Sequence, residues 1–184
     1  ETLNRYRKAY KKLAVRTPAK AGADFVLSDA GAEVVKAKAE AIITAESPVT
    51  EDYLTGRLRD IFVVPKTSKK ACAAITEIVR GLRGFIKESG GEYEYMTAEP
   101  TVFRPLDDKT GRDYQDVCPE EIAVAARCAL ELNGQCGRDA LVKDVLALMN
   151  AKKTAKTAEL TARGIDYTAA NGVVLVTVDG NYTV

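Results

Sequence analysis

Two stretches of this chain carry apolar residues in one common register, 87 positions apart. Val35 falls on Ile122, Ala39 on Ala126, Ile43 on Leu130, Val49 on Cys136, Leu54 on Leu141 and Leu58 on Val145. The matches run through two successive helical stretches and across the break between them, and apolar spacing of this kind marks the buried face of a helix. Chance rarely keeps register over two helices. The fold must therefore be built from two copies of one arrangement.

In the first copy, residues 34–46 form a helix that stops at Ser47-Pro48-Val49. Thr50 is a good N-cap, with Glu51 and Asp52 in the first turn of the next helix, where acids favour the helix dipole. Leu54, Leu58, Ile61 and Phe62 give that helix its apolar face. After Pro65 a third helix is expected to about Gly84, with Cys72, Ile75, Ile78, Val79 and Leu82 apolar. Two short β-like runs around Gly90-Gly91 then read as a hairpin. In the second copy, Cys118-Pro119-Glu120-Glu121 starts a helix with proline at its first position. Asn133-Gly134-Gln135 breaks it, and Leu141, Val145, Leu148 and Met149 mark the next helix. A third helical stretch covers about 154–170, interrupted by Gly164, and Asp179-Gly180 signals a type I′ hairpin turn.

The order helix–helix–helix–hairpin is that of a winged helix, a helix-turn-helix with a β-hairpin appended. The expected fold class is mainly α with small β-hairpins (α+β), as two tandem winged-helix repeats. The expected division is a basic extension over 1–32, a first repeat over 33–104, a connector over 105–117 and a second repeat over 118–184. Within the extension a helix is expected over about 2–13, and Asp24-Phe25-Val26-Leu27 reads as a short strand. One more strand is expected in the connecting region near Thr101-Val102-Phe103.

The chain has 184 residues and no histidine. That removes Ser-His and Cys-His nucleophile pairs, histidine bases and every His-containing metal site. No G-x-x-x-x-G-K-[ST] phosphate loop is present, so this stretch is not a nucleotide-driven motor. Asp107-Asp108-Lys109 matches the end of a nuclease metal motif, but it lies in a Pro-flanked connector with no supporting acidic strand. Glu51-Asp52 and Glu120-Glu121 read as helix-start features rather than catalytic pairs. Cys72, Cys118, Cys128 and Cys136 are separated by 46, 10 and 8 residues, which fits neither a usual zinc site nor a disulfide framework. They read as reduced thiols of a cytoplasmic protein. No cofactor, metal or enzymatic activity is expected, and no apolar run approaches the roughly 18 residues of a membrane helix. The opening Glu1 reads as the start of a piece cut from a longer polypeptide.

The stretch IITAESPVTEDYLTGRLRDIF resembles the signature of an uncharacterised bacterial domain found at the C-terminus of superfamily-I DNA helicase-related proteins. There a helix ends in an acidic-small-Pro-Ile/Val segment, and a Leu-x-x-Arg-Ile/Leu helix follows, matched here by Leu54, Arg57 and Leu58. CPEEIAVAA is similar to the Pro-Glu-Glu-Ile helix start of that domain's second half. The resemblance covers about residues 34–184. It implies a DNA-related context and places helicase and nuclease domains upstream as partners. The chain departs from the pattern at Asn150-Ala151-Lys152-Lys153-Thr154, where a Gly-aromatic-basic stretch is usual.

Lys+Arg number 27 and Asp+Glu 26, so near-neutrality leaves any electrostatic role to local clusters. Lys66, Lys69, Lys70, Arg80, Arg83 and Lys87 face only Glu77 over 65–87. On a helical projection Lys69, Ala73, Thr76, Arg80 and Arg83 form one stripe opposite the apolar face. Cations for phosphates around small residues are what a groove-reading helix needs. The candidate DNA-binding residues are Lys66, Lys69, Lys70, Thr76, Arg80 and Arg83, with Lys152, Lys153 and Lys156 as a thinner second cluster. The competing reading is a solvated helix face. The basic run from Arg5 to Lys20 reads either as added affinity for nucleic acid or, through its apolar stripe Leu3, Tyr6, Tyr10 and Leu13, as a docking helix. Glu88, Glu92 and Glu94 make the first hairpin acidic, which suits a protein partner, so a protein-docking module is the alternative function.

Overall fold

The computed structural model describes residues 1–89 and 91–184. In chain order the elements are α1 (Thr2–Tyr6), α2 (Ala23–Val26), α3 (Asp29–Glu46), β1 (Val49–Thr50), α4 (Glu51–Ile61), α5 (Lys69–Arg80), β2 (Ile86–Ser89) and β3 (Glu92–Tyr95). A short 3₁₀ turn (Tyr114–Asp116) precedes α6 (Pro119–Asn133), α7 (Arg138–Leu148), α8 (Ala155–Ala170), β4 (Leu175–Val176) and β5 (Tyr182–Thr183). The protein is mainly helical with small antiparallel sheets. Among the described residues no helix is long and apolar enough to cross a membrane.

Two compact units divide the chain. Unit A is Lys11–Ala98, and unit B joins Glu1–Tyr10 to Glu99–Val184. In unit A the helices α3, α4 and α5 enclose Val35, Ala39, Ile42, Ile43, Leu54, Leu58, Phe62, Ile75 and Val79, all fully buried. Ser28 caps α3 by accepting from the Gly31 N–H, and Thr50 caps α4 by accepting from Tyr53 N at 3.2 Å. These bonds satisfy donors that every helix start leaves open. Strand β3 lies between β1 and β2 in an antiparallel sheet, with Tyr95 opposite both Val49 and Ile86. The turn of this hairpin was expected around Gly90-Gly91. Gly90 lies outside the described residues, and Gly91 has φ +81°, a conformation glycine adopts without penalty.

Unit B repeats the order. Helix α4 begins at Glu51 and α7 at Arg138, 87 positions on, and the helices end at Ile61 and Leu148 with the same offset. Val49 pairs with Tyr95, and Cys136 with Tyr182, again 87 apart on both sides. The helix ends correspond in hydrogen bonding too. After α4, Val63 has φ +56° and Val64 N–H donates to Arg59 O at 2.9 Å; after α7, Asn150 has φ +55° and Ala151 N–H donates to Leu146 O at 2.9 Å. Both are the 6→1 bond of a Schellman stop. Asparagine tolerates that left-handed position, whereas β-branched valine is strained there.

Several local expectations change. Residues 24–27 are not a strand: Asp24–Val26 lie in α2, where Val26 is buried and the Phe25 ring stacks on Phe62 with centroids 6.4 Å apart. Packing of two large side chains overrides a weak β preference. The N-terminal helix stops at Tyr6 rather than near residue 13, because the chain turns extended at Arg7. There it bridges Phe103: Phe103 N–H donates to Tyr6 O at 2.8 Å and Lys8 N–H to Phe103 O at 3.0 Å. The expected strand at 101–103 is reduced to that bridge. Helix α5 spans Lys69–Arg80 only. The second hairpin turn is not type I′, since Asp179 lacks the positive φ that type requires. Thr177 N–H donates to Asn181 O at 2.8 Å, Gly180 N–H donates to Thr177 O at 2.9 Å, and Gly180 alone in the loop is left-handed. That is a type I turn closed by a glycine bulge.

Gly164 does not interrupt α8. A Cβ there would lie 2.4 Å from Ile122 Cγ2, so the missing side chain is what lets α8 approach α6.

One buried carboxylate in each unit holds a non-helical segment. In unit A, Glu46 Oε1 accepts from Leu13 N at 2.8 Å and from Arg57 Nη1 at 2.7 Å, while Arg57 Nη2 donates to Leu13 O at 2.8 Å. Tyr53 OH donates to Glu46 Oε2 at 2.8 Å. In unit B, Glu121 Oε1 accepts from Arg104 N at 2.7 Å and Nε at 3.0 Å, and Arg112 Nη1 donates to Arg104 O at 3.0 Å. Arg104 Nη2 and Arg112 Nη2 both reach Glu121 Oε2, at 2.8 and 2.5 Å. Tyr10 completes the cluster, its ring 5.1 Å from the Arg104 guanidinium carbon and 4.7 Å from that of Arg112. Burial alone would raise the Glu121 pKa, but the Arg112 and Arg104 charges and hydrogen bonds outweigh it and hold the carboxyl below its usual range.

Replacing Gly164 with Ala should destabilise unit B by about 1–3 kcal/mol through overpacking, despite the better helix propensity of alanine, and lower the urea midpoint at unchanged m. Glu121→Ala should cost about 3–5 kcal/mol by leaving two buried arginines without their carboxylate. Because Glu121 ionises at lower pH when folded than when unfolded, its contribution in the native chain is complete above about pH 4.5. It is lost as pH falls through the folded pKa, so the acid limb of the native protein's stability curve should flatten in Glu121→Gln.

Candidate nucleic-acid interface

Helix α5 buries Ala71, Ile75 and Val79, and Cys72, Ala74 and Ile78 pack half-buried at its flanks. Apolar residues at this spacing turn the opposite face to solvent. That face carries Lys69, Lys70, Ala73 and Arg80 exposed, with Thr76 half-buried among them. Lys66 lies in the turn before the helix and Arg83 in the turn after it, both exposed. The ridge is therefore assembled from one helix and its two ends.

The six sequence candidates of this ridge are not equivalent. Among the described residues, Lys66, Lys69, Lys70 and Arg83 form no ion pair. Thr76 Oγ1 donates to Cys72 O at 3.2 Å, so its hydroxyl serves its own helix. Arg80 is held by a fork: Nε donates to Glu51 Oε2 at 3.0 Å and Nη2 to Glu51 Oε1 at 2.8 Å. Its guanidinium also stands 4.6 Å from the centre of the Tyr93 ring. Half of the side chain, 50%, remains exposed, so one edge of the cation still faces outward.

Glu51 carries more than the helix-dipole role read from its place in the first turn of α4. It accepts from Arg80 and, at 3.1 Å, from Tyr95 OH. Burial, reinforced by the Glu51 charge, pushes the Tyr95 phenol well above its ordinary value. No local sequence signal marks this contact, since Glu51, Arg80 and Tyr95 sit on three different elements.

The second cluster is looser. Lys152 and Lys153 are exposed ahead of α8, and Lys156 Nζ donates to Gln115 Oε1 at 2.7 Å. At the 87-residue offset Lys153 corresponds to Lys66 and Lys156 to Lys69, but the position of Arg80 is taken by Tyr167. Of the first hairpin's acids, Glu88 and Glu92 are exposed and Glu94 is buried. The Asp107-Asp108-Lys109 stretch forms a turn in which Asp107 Oδ1 accepts from Lys109 N at 2.9 Å.

Compared with known proteins, the chain matches no family model, no curated protein and no solved structure. The arrangement above must be read on its own chemistry.

The exposed and unpaired cations should be dispensable for folding. A variant with Lys66, Lys69, Lys70 and Arg83 all changed to Ala is expected to keep the wild-type thermal midpoint. Glu51→Ala should lower it, because it strips a shared acceptor from Arg80 and Tyr95.

Proposed function

We propose that the chain is a non-catalytic DNA-binding accessory domain made of two winged-helix copies, which holds duplex or forked DNA for a helicase-like protein. The order α3–β1–α4–α5–β2–β3, with β1 paired to β3, is compatible with a winged-helix plan and supports this reading. In that plan α5 is the helix presented to a groove. The observation that carries the proposal is the outward ridge of Lys66, Lys69, Lys70 and Arg83, exposed and without carboxylate partners among the described residues. Ala73 between them lets the backbone come close to a phosphate chain. The helicase context rests on the resemblance of residues 34–184 alone, and the upstream helicase and nuclease domains are the partners it implies.

One observation favours the docking alternative. Leu175, Val176 and Val178 of the second hairpin are 62%, 51% and 106% exposed, a concentration of apolar surface suited to a protein partner. Salt separates the two readings. Each phosphate contact contributes about −0.9 to the slope of log K against log salt, so four contacts give about −3.5. Fluorescence anisotropy on a duplex and on a fork across a salt series measures that slope. The Lys66, Lys69, Lys70 and Arg83 to Ala variant should lose the affinity and flatten the slope. Unchanged binding in that variant would sink the assignment.

Glu51→Gln offers a test in the opposite direction. Releasing Arg80 from its carboxylate frees one more phosphate ligand, so affinity should rise and the slope steepen by about 1.

A further inference from the structure

Unit B contains an open cleft of about 780 Å³ between the extended segment after α1, the 105–114 loop and the start of α8. That volume lies within the range of roughly 300–1,000 Å³ that holds small organic ligands. We propose that this cleft binds a phosphate ester of about mononucleotide size. The proposal does not depend on the α5 ridge, which belongs to unit A.

The charges argue for an anion. Arg7, Lys8, Lys109 and Lys152 line the cleft, all exposed and none in an ion pair among the described residues. Arg112 contributes to the lining from below, locked in place by Glu121 and by Arg104 O. Its side chain is 2% exposed and its charge is matched by Glu121, so the anion would meet the four rim cations instead. Three carboxylates also line the cleft, but two are engaged by the main chain. Asp107 accepts from Lys109 N, and Asp113 takes part in the capping box of the 3₁₀ turn. Their charges remain, so the four exposed cations of the lining exceed its three carboxylates by one and leave the rim positive.

The walls argue for an organic body on that anion. Leu106, Ala151 and the buried Tyr114 give an apolar side. The Tyr114 hydroxyl is already bonded to Thr161 Oγ1 at 2.7 Å, so the ring presents carbon rather than a donor. Thr154 and Thr157 at the start of α8 also line the space, and the dipole of this 16-residue helix adds positive potential there. A phosphate among the rim cations with its sugar or base against Leu106 and Ala151 uses both halves of the lining.

Calorimetric titration of the full chain with AMP, adenosine and a 5′-phosphorylated dinucleotide, at fixed ionic strength in sodium chloride, tests the idea. AMP is expected to bind and adenosine not. The double change Lys8→Glu with Lys109→Glu should weaken AMP at least about tenfold, as loss of charge-assisted contacts does, while Lys8→Arg with Lys109→Arg should retain it. The quadruple alanine variant of the α5 ridge should bind AMP as the parent does, which keeps failure here distinct from failure of the DNA reading. Stronger binding of the dinucleotide would assign the cleft to strand ends, and stronger binding of AMP to free nucleotides. Equal binding of AMP and adenosine, absence of binding by either phosphate ester, or AMP affinity unmoved by charge reversal in a variant that keeps its thermal midpoint, would overturn the proposal.

Discussion

Each unit depends on a carboxylate placed where water cannot reach it. Glu46 and Glu121 are fully buried, and a charge in that position persists only when its oxygens are filled by donors. Arg57 with Tyr53 fills them in one unit and Arg104 with Arg112 in the other, and each glutamate with one arginine brackets the N–H and C=O of a residue outside the helices, Leu13 in one case and Arg104 in the other. The device is the same, although the glutamates do not correspond in the repeat. It closes extended segments that have few ladder bonds of their own. Position along the chain is thereby specified by ionic geometry rather than by apolar contact, which tolerates sliding.

The surface follows a related logic. A cation near a well-placed carboxylate is consumed by structure, as Arg80 is by Glu51, whereas lysines on flexible stems at Lys66, Lys69 and Lys70 remain available. Arginine's planar fork suits the first task, and lysine's compact charge on a mobile stem the second. The cationic ridge on α5 is accordingly part scaffold and part open charge. Counting basic residues along a helix does not distinguish the two.

Much of the fold was legible because it rests on periodicity. The 87-residue register of Val35, Leu54 and Leu58 with Ile122, Leu141 and Val145 anticipated the positions of α3 with α6 and α4 with α7, and Thr50 marked the start of α4. What stayed illegible was set by contacts far apart in sequence. Phe25 turned helical through Phe62, and α1 ended because Arg7 pairs with Phe103. Gly164 looked like a helix interruption until Ile122 supplied the reason for its missing side chain. At the candidate site, exposure of the lysines followed from the apolar face of α5. The capture of Arg80 did not, because its partner lies 29 residues upstream on another helix. The role of Glu121 was hidden in the same way, since an acid in a first turn already has a sufficient local explanation.

The chain order of the units has a consequence for biogenesis. Residues 1–10 belong to unit B, whose remainder begins only at Glu99, with all of unit A between. During vectorial synthesis Lys11–Ala98 can complete its core while the Tyr6 and Tyr10 side chains still lack the surroundings that bury them. Tyr6 waits for α6 and Tyr10 for the arginine pair. Residues 1–10 are thus made before unit A yet secured only after it, and for that interval Tyr6 and Tyr10 remain unburied.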